Sequence, residues 1–279
     1  MSIAIITDSA CDLPADLVVA NGIRIVPLSI RFGDEEFTDG VNLSGAEFWA
    51  KCKASSTLPE TAAPSPGAFQ AAFEEAKASG ADAAVCINLS GDLSGTMGAA
   101  ALGAEGVAPF DVRIVDSRAV SMAQGILVLL AAKAVAAGAS VDEVVATVED
   151  AIGRLEVCGI IETFEHLQKG GRVGGAKALL GSVLSIKPIL KLENGVVAEA
   201  GRQRTRSKAI AHMIDQAKAA GQLEYVSVMH GACDDVDAVA AKVGELSSTN
   251  PLIVADIGPV VGTHGGPGII AMAWLRAKS

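Results

Sequence analysis

Ser90-Gly91-Asp92-Leu93-Ser94-Gly95-Thr96 sets three hydroxyls among two glycines, between a short apolar run and an Ala-rich one. Free backbone N–H groups at such a strand-to-helix passage, with the positive end of the helix, suit a carboxylate or a phosphate. Ser94 would serve equally as a plain N-cap. Gly262-Thr263-His264-Gly265-Gly266-Pro267-Gly268 surrounds one imidazole with glycines. That composition implies close backbone packing, with the ring aimed at a pocket or hydrogen-bonded within its own loop. His166 and His212 are expected at the surface, and His230, at a strand end, is open. Thr61 lies in a rigid connection between Pro59 and Pro64. Thr7-Asp8-Ser9 follows the first apolar run, at the strand end where open α/β sheets place ligands. Asp8 either orients a partner there or begins a turn. Arg202, Arg204, Arg206 and Lys208 form a basic run that reads as a solvated helix start or as a dock for phosphate or an acidic partner.

These residues need a frame, and the chain alternates short β-rich runs with Ala-rich helical runs almost from end to end, which indicates an α/β protein. Ile3–Ile6 reads as a buried first strand. Pro14 opens a helix that Asn21-Gly22 closes. Residues 23–32 and 35–38 are expected to form a hairpin around Gly33-Asp34. Ser44-Gly45-Ala46-Glu47 and Ser140-Val141-Asp142-Glu143 have capping-box spacing, and Ser65-Pro66 caps a helix that ends at Gly80. Further strands are predicted at 83–89, 112–115 and 157–161, with a long helix through Ala137. A helix around 176–184 is expected to lead to Pro188, then a hairpin turning at Asn194-Gly195. The closing order is strand, helix, strand, Gly-rich loop and strand. This pattern predicts an N-terminal, mostly parallel-sheet α/β domain over 1–160 and a smaller, mixed-sheet α/β domain over 161–279.

The chain has 279 residues, enough for roughly two domains. Half of them are hydrophobic and 19% charged, a globular balance. Its formal charge of −10 argues against nucleic acid as a partner, because phosphate binding needs a basic footprint. Five scattered cysteines without a CxxC pair suggest reduced thiols in a cytoplasmic protein and no zinc site. The N-terminus lacks signal-peptide character, and the longest lipid-like stretch, 125–132, stops at Lys133. There is no HExxH, EF-hand, GxSxG or dinucleotide-binding fingerprint. The segment 170–177 departs from a P-loop because Ala176 stands where Lys should follow the last Gly.

Taken in order, several segments resemble the DegV family, whose bacterial members include fatty acid-binding (FakB-type) proteins. They are Thr7-Asp8-Ser9 with Asp12-Leu13-Pro14; Thr61 with Pro64-Ser65-Pro66; Leu93-Ser94-Gly95-Thr96; Asp116-Ser117; Phe164-Glu165-His166-Leu167 with Lys169-Gly170-Gly171-Arg172; Arg204-Thr205-Arg206; and the segment 262–268. The resemblance implies a two-domain α/β fold holding one long-chain fatty acid, with its carboxylate on Thr61, Ser94 and His264. It further implies a carrier with no turnover and no cofactor beyond its lipid. A separate fatty acid kinase would convert the cargo to an acyl phosphate for phospholipid synthesis. Arg172, Arg204 and Arg206 are then candidates for the phosphate or the kinase, and the arginine run for a transient membrane contact. Ala62 and Ala63 depart from the Ser-Gln that many relatives carry, and Asn88 from a small hydroxyl residue.

Two other classes fit the residues alone. Ser94, His264 and Asp8 could form a hydrolytic triad, although no elbow motif supports one. The Ser94 loop and the arginines could instead hold a phosphate ligand.

Overall fold

The computed structural model describes residues 2–179, 186–246 and 248–278. Its strands are β1 (Ile3–Asp8), β2 (Arg24–Val26), β3 (Ser29–Phe32), β4 (Glu35–Thr38), β5 (Glu60–Ala62), β6 (Ala83–Asn88), β7 (Asp111–Asp116), β8 (Leu155–Ile160), β9 (Lys187–Glu193), β10 (Val196–Gln203), β11 (Leu223–His230), β12 (Ile253–Asp256) and β13 (Ile270–Arg276). The helices are α1 (Ala15–Ala20), α2 (Gly45–Ala54), α3 (Pro66–Ala78), α4 (Thr96–Glu105), α5 (Met122–Ala136), α6 (Val141–Ile152), α7 (Glu165–Lys169), α8 (Arg206–Ala219), α9 (Val236–Val243) and α10 (Pro259–Gly265).

β1, β2, β6 and β7 form a parallel sheet in the order β2-β1-β6-β7. α3 and α4 cover one face through Phe69, Phe73 and Ala100, and α5 and α6 cover the other through Ile126, Leu130 and Val144. Burial on both faces explains why β1 and β6 lack polar alternation. The second sheet has six strands in the order β10-β9-β8-β13-β11-β12, with only β11 and β12 parallel. α8 and α9 pack on one side of it through Ile210, Met213 and Val239. α5 lies on the other side and touches strands of both large sheets. This shared position accounts for the lipid-like stretch: residues 122–132 of α5 are all buried, and a helix apolar all round belongs in a core. No described helix is long and apolar enough to cross a membrane.

Local signals formed as expected at several points. Both capping boxes close, at Ser44–Glu47 and Ser140–Glu143, and Ser65 caps α3. Asn194-Gly195 turns the β9–β10 hairpin, with left-handed φ of 52° and 87°.

Three expectations change. The run 23–32 is two strands in two sheets, because Pro27 interrupts it: β2 joins β1 in parallel, while β3 pairs with β4 and β5. The segment around His264 is helical from Pro259 to Gly265, so the imidazole sits on a helix and not in a loop. β8 pairs with β13 and β9, which places Leu155–Ile160 in the six-stranded sheet with the strands that follow it. Of the helix expected over 176–184, residues Gly174–Leu179 form a 3-10 turn, and 180–184 lie outside the described residues.

Candidate functional site: an aliphatic cavity with a hydroxyl–imidazole end

Each of the three residues singled out for a carboxylate is carried by a different part of the fold. Thr61 is the middle residue of β5, opposite Ile30, at the edge of the three-stranded sheet β4-β3-β5. Ser94 lies between β6 and α4, at the carboxyl end of the parallel sheet. That loop is held by the Ser90 N–H on the Ala119 carbonyl at 2.9 Å and the Ser94 N–H on the Ser90 carbonyl at 3.2 Å. The β9–β10 turn docks on it from the other sheet, with the Ser90 hydroxyl donating to the Gly195 carbonyl at 2.8 Å. A Cβ at Gly195 would stand 2.6 Å from that hydroxyl oxygen, so the docking needs glycine. His264 comes from the last turn of α10.

The structure brings Thr61, Ser94, His264 and Arg172 to the wall of one cavity. Its volume is about 150 Å³, and most of the remaining wall is apolar, including Leu28, Leu190, Val197, Met229, Val260 and Ala271. Thr61 Oγ1 and His264 Nε2 are 3.0 Å apart. His264 Nδ1 is buried without a partner and faces Gly170, where a side chain would collide with the ring. Arg172 braces this end: its Nε donates to the Leu93 carbonyl at 3.0 Å and its Nη1 to the Gly170 carbonyl at 2.6 Å. The guanidinium thereby links the Ser94 loop to the backbone behind the imidazole.

Burial, helped by Arg172 and His166, lowers the His264 pKa to about 4, so the ring is neutral at pH 7. An unfolded histidine takes up its proton near pH 6.5, while the folded one waits until about 4. Stability from this group is therefore fully present above pH 6.5 and falls between 6.5 and 4, by up to about 1.4 kcal/mol per pH unit. Two carboxyls oppose it, since loss of hydration pushes Asp12 up to about 8 and Asp39 up to about 6. Their stabilising effect is greatest at low pH and is lost as the pH rises through those values. Chemical denaturation of wild type and His264→Gln at pH 4 and pH 7 separates the contributions: the variant should lose less stability on acidification, and equal losses would contradict the assignment.

The hydrolytic triad does not assemble. Ser94 Oγ lies 2.9 Å from Thr96 Oγ1 and accepts the Thr96 N–H at 3.3 Å, whereas the His264 Nε2 partner is Thr61. Asp8 is fully buried and engaged by the Leu89 and Ala10 N–H groups and by Asn88 Nδ2. Its carboxylate therefore organises the end of β1 and has no part at His264. Asn88, the departure in β6, belongs to this buried cluster, and Ala62 and Ala63 are exposed.

The arginine run divides. Arg204 is exposed, and Arg202 pairs with Glu199 at 2.5 Å. Arg206 pairs with Asp235 at 2.7 Å and Glu162 at 3.1 Å and donates to the Gly268 carbonyl at 2.7 Å. Neither Arg204 nor Arg206 lines the cavity.

His166 is not a surface residue, and His212 is only partly exposed. His166 is buried, and its Nδ1 donates to the Thr263 carbonyl at 2.9 Å, bracing the turn that carries His264. His212 is partly buried, with Nε2 shielded from solvent. Residue type and local spacing predict exposure for both, and only packing reverses it. Ser121 also lines the cavity, and neither its residue type nor its local spacing marks it in the sequence.

Fold and cavity together define a three-sheet α/β protein built around one largely aliphatic pocket. Residues 2–277 match the model of the DegV family, a family described as uncharacterised, and the chain belongs to that family. A DegV domain-containing protein of Streptomyces coelicolor is 36% identical over 274 residues, 97% of each chain. One from Deinococcus radiodurans is 35% identical over 279 residues, 98% of each chain. Among solved structures, a fatty acid-binding DegV family protein from Thermus thermophilus superimposes with a TM-score of 0.92 at 32% identity, covering 99% of this chain and all of that one. DegV of Bacillus subtilis, a fatty acid binding protein, gives 0.88 at 29% identity, with 99% of this chain and all of that one covered.

Proposed function

We propose that this protein is a carrier that buries one long-chain fatty acid in the cavity, with its carboxylate at Thr61, Ser94 and His264. The observation that carries the reading is a nearly continuous aliphatic wall meeting a hydroxyl–imidazole pair at one end. Burying an acyl chain gains about 0.8 kcal/mol per methylene, so about 14 methylenes are worth on the order of 11 kcal/mol before ordering costs. The head group must recover its lost hydration through hydrogen bonds. With the proton of neutral His264 on Nε2, the ring donates to Thr61 Oγ1, and the Thr61 hydroxyl is free to donate to the carboxylate. Ser94 supplies a second hydroxyl, and the Arg172 charge sits beside them. A phosphate ligand suits this wall poorly, because its sugar or nucleoside would face Leu and Val side chains.

The cargo is presented to a fatty acid kinase in this reading. A solvent-facing hollow lined by Gly91, Asp92, Ser94, Gly95, Gly171 and Arg172 adjoins the polar end of the cavity, which gives a phosphoryl donor a route to the carboxylate. In this reading Arg172 meets the new phosphate and Arg204 the kinase.

Mass spectrometry of an organic extract of the purified protein tests the binding step. A long-chain fatty acid should be recovered, or taken up when palmitate or oleate is added; recovery of neither refutes the proposal. For the second step, transfer of labelled phosphate from ATP to bound oleate by a fatty acid kinase should fall at least tenfold in Arg172→Ala.

A further inference from the structure

α10 starts without a cap of its own: its first flanking residue, Gly258, has no side chain, and Pro259 follows. The Gly258 N–H is nonetheless satisfied. Asp12, 246 positions away in sequence, accepts it on Oδ1 at 3.0 Å. The other carboxyl oxygen of Asp12 meets the Ser121 hydroxyl at 2.5 Å, immediately before α5. Three remote segments thus share one carboxyl group. The fit is close, since a Cβ on Gly258 would stand 2.8 Å from Asp12 Oδ1. Asp12 is left-handed, with φ of 51°, and Ser121 also has a positive φ, of 57°. Non-glycine residues persist there only when their surroundings hold them. The Ser121 N–H is also tied down, to the Ala10 carbonyl at 2.7 Å.

This clasp is part of the cavity wall. Ser121 lines the cavity with Val120, Ile257 and Val260, while Asp12 faces a surface groove that also contains Asp39 and Asp256. Gly258 and His264 are six positions apart, about 9 Å along a helix. A short helix carries a shift at its start to its end, and a 3.0 Å hydrogen bond to Thr61 tolerates little of it.

We infer that Asp12 is a positioning residue for His264: it caps α10 from across the chain and pins that helix to the start of α5. The inference rests on the reading that His264 holds the head group. It assigns a use to a half-buried acid that the binding site does not itself employ. Burial, with Asp39 and Asp256 nearby, pushes the Asp12 carboxyl up to about 8, so it is largely protonated at neutral pH. Asparagine reproduces that form, with its amide oxygen on the Gly258 N–H and its amide NH2 on the Ser121 oxygen, and it tolerates the left-handed backbone.

The test compares Asp12→Gly, which keeps the backbone conformation and removes the acceptor, with Asp12→Asn, which keeps both. Palmitate affinity and the NMR titration of the His264 ring are read on the full chain. In Asp12→Gly, palmitate should bind at least tenfold more weakly and the His264 midpoint should move up towards the ordinary histidine range. Asp12→Asn should restore both. Gly258→Ala, which pushes on the same carboxyl from the other side, should match Asp12→Gly and serves in its place if that variant does not fold. Wild-type affinity with an unmoved His264 midpoint in the folded variants overturns the inference. Wild-type protein that takes up no palmitate refutes the head-group reading instead, while the His264 titration still judges the clasp.

Discussion

Replacing Ala271 by Phe should abolish fatty acid uptake, lowering affinity at least a hundredfold, while the protein remains folded. Ala271 is in β13, paired with Gly159 on one side and Met229 on the other, and all three line the cavity. A phenyl ring there would occupy space that the acyl chain needs. Small-to-large changes in a filled core cost about 1–3 kcal/mol, but this ring enters unfilled volume, so the cost should be small. Thermal unfolding checks that Tm is kept, and mass spectrometry of the extract after incubation with palmitate reads the loading. A folded variant with wild-type loading would mean that the chain lies elsewhere.

His264→Ala and Thr61→Val should each weaken binding by about ten- to a hundredfold, since a hydrogen bond to a charged group is worth about 1.5–3 kcal/mol. The double variant should be little worse than the poorer single one. The two side chains share the 3.0 Å contact, and removing either disables the relay to the carboxylate, so their effects should not add. The fatty alcohol of the same chain length supplies the control: it keeps the apolar gain, lacks the charge, and should be far less sensitive to both substitutions. Additive losses in the double variant, or equal losses for acid and alcohol, would contradict a shared head-group role.

Much of the framework was legible in the chain because its signals are local. A capping box needs only Ser and Glu three residues apart, and a two-residue hairpin needs only Asn-Gly between pairing runs, so Ser44, Ser140 and Asn194 act as expected wherever they sit. The apolar runs of β1 and β6 announce strands covered on both faces. Local pattern could not say that Pro27 sends β2 and β3 into different sheets, because that depends on which edges are free to pair. It also could not place His166 inside. The partner of His166 is a carbonyl on α10, 97 positions away.

The site divides along the same line. Thr61, Ser94 and His264 were marked by residue type and by family likeness, whereas the aliphatic wall, Ile269 and Ala271 included, is gathered from segments all along the chain. The amino-acid sequence alone determined the α/β alternation, the chain's acidity and the residues able to hold an anion, since each is a property of short stretches. Tertiary structure alone decided that Thr61 and His264, 203 positions apart, meet. It likewise decided that the imidazole is neutral and that Arg206 is committed to Asp235. Burial, distance and the partner of a charge are created only when remote segments pack together.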